Sequence, residues 1–80
     1  MITAYVDGAY LPLAEARVSP MDRGFLFGAG AYEVLPVYSR RAFRLDEHVA
    51  RLASTLAALR LANPHSADEW TALILDILHR

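Results

Sequence analysis

Asp22-Arg23-Gly24-Phe25-Leu26-Phe27-Gly28-Ala29-Gly30-Ala31-Tyr32-Glu33-Val34 is the most informative stretch of the chain. Its three glycines fall within seven residues. That density predicts unusual backbone angles or the close approach of another group. Phe25, Leu26 and Phe27 make the same stretch apolar, so the loop Ser19–Gly30 is expected to pack rather than to hang in solvent. Ala31–Tyr38 then reads as a strand, with Tyr32, Val34 and Tyr38 on one face and Glu33, Leu35 and Val37 on the other. Pro36 interrupts it and argues for an edge position or a bulge. Gly28-Ala29-Gly30 invites a phosphate-loop reading. It lacks the third glycine of a dinucleotide fingerprint and the Gly-Lys-Ser/Thr of a P-loop. The segment after these glycines reads as a strand, not as a helix whose N-terminus could hold phosphate. Nucleotide binding is therefore rejected.

Working outward, Thr3–Val6 is short and β-prone, and Asp7-Gly8 is a strong hairpin-turn dipeptide. Ala9–Leu13 is the expected returning strand, with Pro12 at its end, where a missing N–H does little harm. On the other side, Ser39-Arg40-Arg41 is the expected turn and Ala42–Phe43 a short returning strand. Asp46 is the expected N-cap of a helix running to about Leu61. Leu45, Val49, Leu52, Leu56 and Leu59 recur at spacings of three and four and form one apolar stripe. Asn63-Pro64 is the expected terminator, and Ser66-Ala67-Asp68-Glu69 fits a capping box. The second helix places Trp70, Leu73, Ile74, Ile77 and Leu78 on one face. Strands first and two helices after them predict an α+β domain.

Composition narrows the function. Eighty residues make one small domain at most, and a domain of that size buries only about 60% of its unfolded surface. Yet 55% of the residues are hydrophobic, which points to faces meant for another domain or subunit. The formal charge of −1 steers the chain neither to nucleic acid nor to anionic membrane. Without cysteine there is no disulfide, thiolate metal site or thiol nucleophile. His48, His65 and His79 share no face, so no metal site is expected. No apolar run approaches a membrane span, and residues Met1–Tyr10 carry no secretory pattern; a cytoplasmic protein is expected. All 8 basic residues are arginine: 17, 23, 40, 41, 44, 51, 60 and 80. Arginine stays protonated and cannot serve as an imine-forming amine, whereas lysine can.

The quoted stretch resembles the segment D-R-G-x-x-x-G-D-G-x-Y/F-E of the class IV, D-amino-acid-aminotransferase-like family of pyridoxal-phosphate (PLP) aminotransferases. Phe43-Arg44-Leu45-Asp46-Glu47-His48-Val49-Ala50-Arg51-Leu52 looks like that family's F-x-L-x-x-H-x-x-R-L, at the right distance. The opening hairpin and closing helices agree, so the resemblance covers Met1 to Arg80. It implies the small N-terminal domain of a fold-type IV enzyme that binds PLP and moves an amino group between an amino acid and a 2-oxo acid. It implies a homodimer whose site lies between this domain and a larger C-terminal one that supplies the lysine. Arg51 matches the arginine that grips the cofactor phosphate, and Tyr32 a tyrosine on the substrate side. No residue of this chain matches a catalytic one. The end at His79-Arg80, with a helix barely finished, is expected to be a cut, leaving an incomplete domain.

Read without the resemblance, the same residues allow plainer roles. Arg51 fits a solvated helix residue paired with Glu47 at i,i+4, although His48, Arg51 and Thr55 share a face displaced from the leucine stripe. Tyr32 fits a half-buried strand tyrosine, His48 a supporting residue and Glu33 a structural one. Ala29 stands where the family usually has an acid, and Pro36 where relatives often carry a charge. Tyr-Glu-Val resembles D-amino-acid transaminases best; aminodeoxychorismate lyases and branched-chain aminotransferases are the alternatives. A non-catalytic interaction module is the alternative of another class.

Overall fold

Two tight turns with left-handed backbone organise the strands. The computed structural model describes residues 2–80, so Met1 lies outside it. β1 (Thr3–Val6) and β2 (Ala9–Pro12) form an antiparallel hairpin in which Val6 faces Ala9. Its loop is Asp7-Gly8, with φ of 50° and 86°, the doubly positive signature of a type I′ turn. β3 (Val37–Tyr38) and β4 (Arg41–Ala42) repeat the device with Ser39-Arg40 at φ 50° and 62°. The second ladder is shorter than the expected strand over residues 31–38. A strand persists only where a neighbour exchanges hydrogen bonds with it, and among the described residues no ladder partner pairs with 31–35. The last rung is Phe43 N–H donating to the Pro36 carbonyl at 2.8 Å; the proline supplies only an acceptor there, so its missing N–H is harmless.

The loop 19–30 contains a helical turn absent from the sequence expectation. α1 (Arg23–Phe27) is capped by Asp22, whose side chain accepts from Gly24 N–H at 2.7 Å. A Cβ on Gly24 would lie 3.0 Å from that same oxygen and 3.2 Å from the Ala29 carbonyl, so a side chain there would have to push the cap or the carbonyl aside. Gly28 closes α1 in the left-handed region at φ 65°.

α2 (Leu45–Ala58) starts and stops differently from its sequence signals. Arg44, left-handed at φ 54°, is the N-cap, and Asp46 sits inside the first turn. There its charge still favours the helix through the dipole. At the other end Leu61 N–H donates to Leu56 O at 2.9 Å and Arg60 N–H to Ala57 O at 3.1 Å, with Arg60 at φ 58°. This is a Schellman closure with arginine at the position glycine usually takes. It ends the helix before Asn63-Pro64 is reached. α3 (Ala67–Leu78) carries the expected capping box: Glu69 N–H donates to Ser66 Oγ at 3.2 Å, and Ser66 N–H to Glu69 Oε1 at 2.8 Å.

α2 and α3 pack on each other around Val49, which is 4% exposed. The hairpin docks on α3 through Tyr10, whose hydroxyl donates to Asp76 at 2.6 Å while Arg80 lies 3.6 Å over its ring. Asn63 accepts from Trp70 Nε1 at 2.8 Å and ties the connecting loop to α3.

Burial is incomplete. The chain exposes 6516 Å², whereas a compact 8.9 kDa monomer exposes about 4,800 Å². Its radius of gyration is 13.5 Å, against about 11.6 Å for a compact chain of this length. Much of the excess is apolar: Met21, Phe25, Phe27, Tyr32 and Val34 are each 67–84% exposed. The loop expected to be packed presents its aromatics to solvent instead, because neither long helix packs closely on it.

Arg60 offers a direct check on the helix stop. A residue with a Cβ in the left-handed region is strained by about 1–2 kcal/mol, part of which glycine returns through unfolded-state entropy. Arg60→Gly is expected to stabilise the chain by about 0.5–1 kcal/mol in urea unfolding. Arg60→Ala, which keeps the Cβ, should gain nothing.

Candidate functional site

Residues 32–35 keep the alternation of an extended chain although no ladder forms there: Tyr32 and Val34 are exposed, and Glu33 and Leu35 turn inward. Glu33 and Leu35 meet His48, Val49 and Leu52 of α2 and Ile74 of α3 around a small recess. A carboxylate in such a place must find partners, and α2 supplies two. His48 Nδ1 lies 2.6 Å from Glu33 Oε1. Arg51 Nε lies 3.0 Å from Oε2 and 3.2 Å from Oε1, and its Nη2 also donates to Oε1. The spacing of three residues puts His48 and Arg51 on one helix face, so one carboxylate holds both.

The energetics follow from that geometry. The Glu33 side chain is 15% exposed. The Arg51 hydrogen bonds, then that of His48, hold its carboxyl well below the usual range, at about 2. The same carboxylate raises Arg51 above its already high value. Ionised Glu33 can only accept, so the proton on Nδ1 of His48 points at it.

Arg51 is not consumed by this contact. Its side chain remains 65% exposed. Nε and Nη2 face Glu33, and Nη1 has no protein partner among the described residues. Arg51 lines a cleft of about 510 Å³ with Tyr32, Glu33, Val34 and Thr55. Thr55 donates to the Arg51 carbonyl at 3.0 Å, so its hydroxyl proton is taken up by the helix backbone at the cleft wall. Arg51 also borders a recess of about 360 Å³ with Arg44, Glu47 and His48. A planar guanidinium with one edge fixed and the other free suits a phosphate or carboxylate oxygen.

The structure thus brings Tyr32 and Arg51 to one cleft. It replaces the Arg51–Glu47 pairing with Arg51–Glu33, and Glu47 instead faces Arg44 at 3.4 Å. Glu33, read from sequence as structural, is the hub. The signal was present: an acid on the inward face of an alternating segment, between apolar neighbours, needs a cationic partner. The spacing between segments did not say which one.

The profile of the amino-transferase class IV family matches residues 30–80, and the chain belongs to that family. It is 42% identical over 72 residues to D-alanine aminotransferase of Bacillus licheniformis, covering 90% of this chain and 25% of that protein. It is 37% identical over 76 residues to aminodeoxychorismate lyase of Bacillus subtilis, covering 95% and 25%. It is 28% identical over 78 residues to D-alanine aminotransferase of Staphylococcus haemolyticus, covering 98% and 28%. The chain spans about a quarter of the length of these relatives. Among the described residues no helix is long and apolar enough to cross a membrane.

Glu33 makes the site testable by acid. Its folded-state value is depressed from 4.5 to about 2, so its stabilising contribution is complete above 4.5 and is lost as pH falls toward 2. Glu33→Gln is expected to melt below the parent at pH 7. The gap between the two melting temperatures should close between pH 4.5 and 2; a constant gap would show that the carboxylate's charge does not hold the cluster.

Proposed function

We propose that these 80 residues form the N-terminal small domain of a cytoplasmic PLP-dependent aminotransferase that acts on a D-amino acid and a 2-oxo acid. The observation that carries this reading is the Arg51 guanidinium, held by Glu33, which His48 also holds, and lining both the cleft it shares with Tyr32 and the recess it shares with Arg44 and His48. Arg51 holds the cofactor phosphate. Because Glu33 has already fixed the guanidinium plane, little side-chain freedom remains to be lost on binding. Bound PLP supplies an electron sink for chemistry at the substrate's α-carbon. Tyr32 stands on the substrate side, its hydroxyl able to donate to the substrate carboxylate. The lysine that holds the cofactor covalently lies outside these residues, which contain none, in a larger C-terminal domain. The exposed aromatic surface around Phe25 and Phe27 supports burial against that domain or a second subunit of a homodimer.

The D-amino-acid reading rests on the D-alanine aminotransferases among the matched relatives, which also include an aminodeoxychorismate lyase and a putative branched-chain-amino-acid aminotransferase, the two alternatives of the same fold. Assay of the extended polypeptide with D-alanine, L-leucine and aminodeoxychorismate decides among them; turnover of D-alanine with 2-oxoglutarate is expected, and turnover of L-leucine alone would overturn the assignment. A non-catalytic module built on the exposed apolar face is the reading of a different class, and it predicts no transamination by any extended form.

The 80-residue chain alone is expected to show no transaminase activity. Borohydride treatment with PLP should leave no reduced adduct on any side chain, with only the terminal amine reactive. A side-chain adduct found by peptide mass mapping would contradict the assignment of the covalent step to another domain.

A further inference from the structure

Arg51 by itself is a weak holder of a dianion, because Glu33 cancels much of its charge. The neighbouring recess carries a second cation. Arg44, His48 and Arg51 stand at i, i+4 and i+7 and line one cavity of about 360 Å³, with Glu47 as its one acid. Arg44 is presented there by its left-handed N-cap conformation, φ 54°, and its guanidinium lies 5.4 Å from the Phe43 ring centroid. Among the described residues its one ionic contact is Nη1 to Glu47 Oε2 at 3.4 Å, between side chains that are 61% and 68% exposed. A pair so long and so wet contributes little and exchanges readily.

We propose that Arg44 is a second anion-binding residue beside Arg51, closing on a phosphate or phosphate monoester in this recess, and that Glu47 competes with the anion for it. This rests on the assignment of Arg51 to the cofactor phosphate. Two guanidiniums, one of them set by Glu33 and the other held only by an exposed pair with Glu47, offer a dianion more donors than the Arg51–Glu33 pair alone. When the anion enters, Arg44 leaves Glu47 for the stronger charge-assisted contact.

The two arginine–glutamate partners separate this from a structural role. Arg44→Ala and Glu47→Gln both break the Arg44–Glu47 pair, so a purely structural pair predicts shifts in the same direction. Anion binding predicts opposite ones. In the extended apoprotein, dissociation constants are measured by fluorescence titration with PLP and by competition with inorganic phosphate. Arg44→Ala is expected to weaken both by about fivefold, and Glu47→Gln to tighten both by about two- to threefold. Same-direction shifts, no shifts, or an effect on PLP without one on inorganic phosphate would overturn the role of Arg44. Arg51→Ala serves as the reference: if it leaves both constants unchanged, the phosphate assignment of Arg51 itself fails, independently of Arg44.

Discussion

A carboxylate turned inward against the first turns of a helix has to be paired, and Glu33 is paired twice. Its two oxygens take the Nε and Nη2 edge of Arg51 and the Nδ1 proton of His48. The arrangement couples two parts of the chain that secondary structure does not join. Residues 31–35 have no ladder among the described residues, so their position against α2 depends on this contact and on the Leu35 side chain. The same contact sets the plane of the guanidinium. Without Glu33, Arg51 would be an exposed, freely rotating helix residue, and Tyr32 would have no fixed neighbour across the cleft.

The cluster works within a domain that buries little. Among the described residues one side chain, Val49, is nearly enclosed, and the hairpin meets α3 through the Tyr10–Asp76 hydrogen bond and a shallow apolar contact of Tyr5 beside Trp70, Leu73, Ile74 and Ile77. Order therefore comes from local devices: two doubly positive turns, a Schellman stop, a capping box and a glycine packed under an aspartate cap. Each satisfies backbone groups that a larger core would otherwise shelter. The apolar residues left outside, Phe25 and Phe27 among them, are those a partner surface can use.

The hairpin at Asp7-Gly8, the capping box at Ser66 and the α+β order were legible because each is written in neighbouring residues. The ends of α2 were less so. Asp46 is a good capping residue, but Arg44 took the position because the β3–β4 hairpin delivers the chain to the helix in a left-handed turn. Asn63-Pro64 is a good stop, but a backbone closure at Arg60 acted first. The strand over 31–38 failed beyond two residues because alternation describes which way side chains point, whereas a ladder needs a neighbour.

The sequence by itself determined the family and singled out Arg51 and Tyr32 as candidates, since both sit in motifs whose spacing survives in one dimension. It also determined that the chain holds no lysine. Tertiary structure alone decided which acid meets Arg51. Glu47 is four residues away on the same helix and Glu33 is eighteen residues away, and the nearer one lost. The reason is solvent: Glu47 stays wet and gains little from pairing, whereas Glu33 is turned inward and cannot remain unpaired.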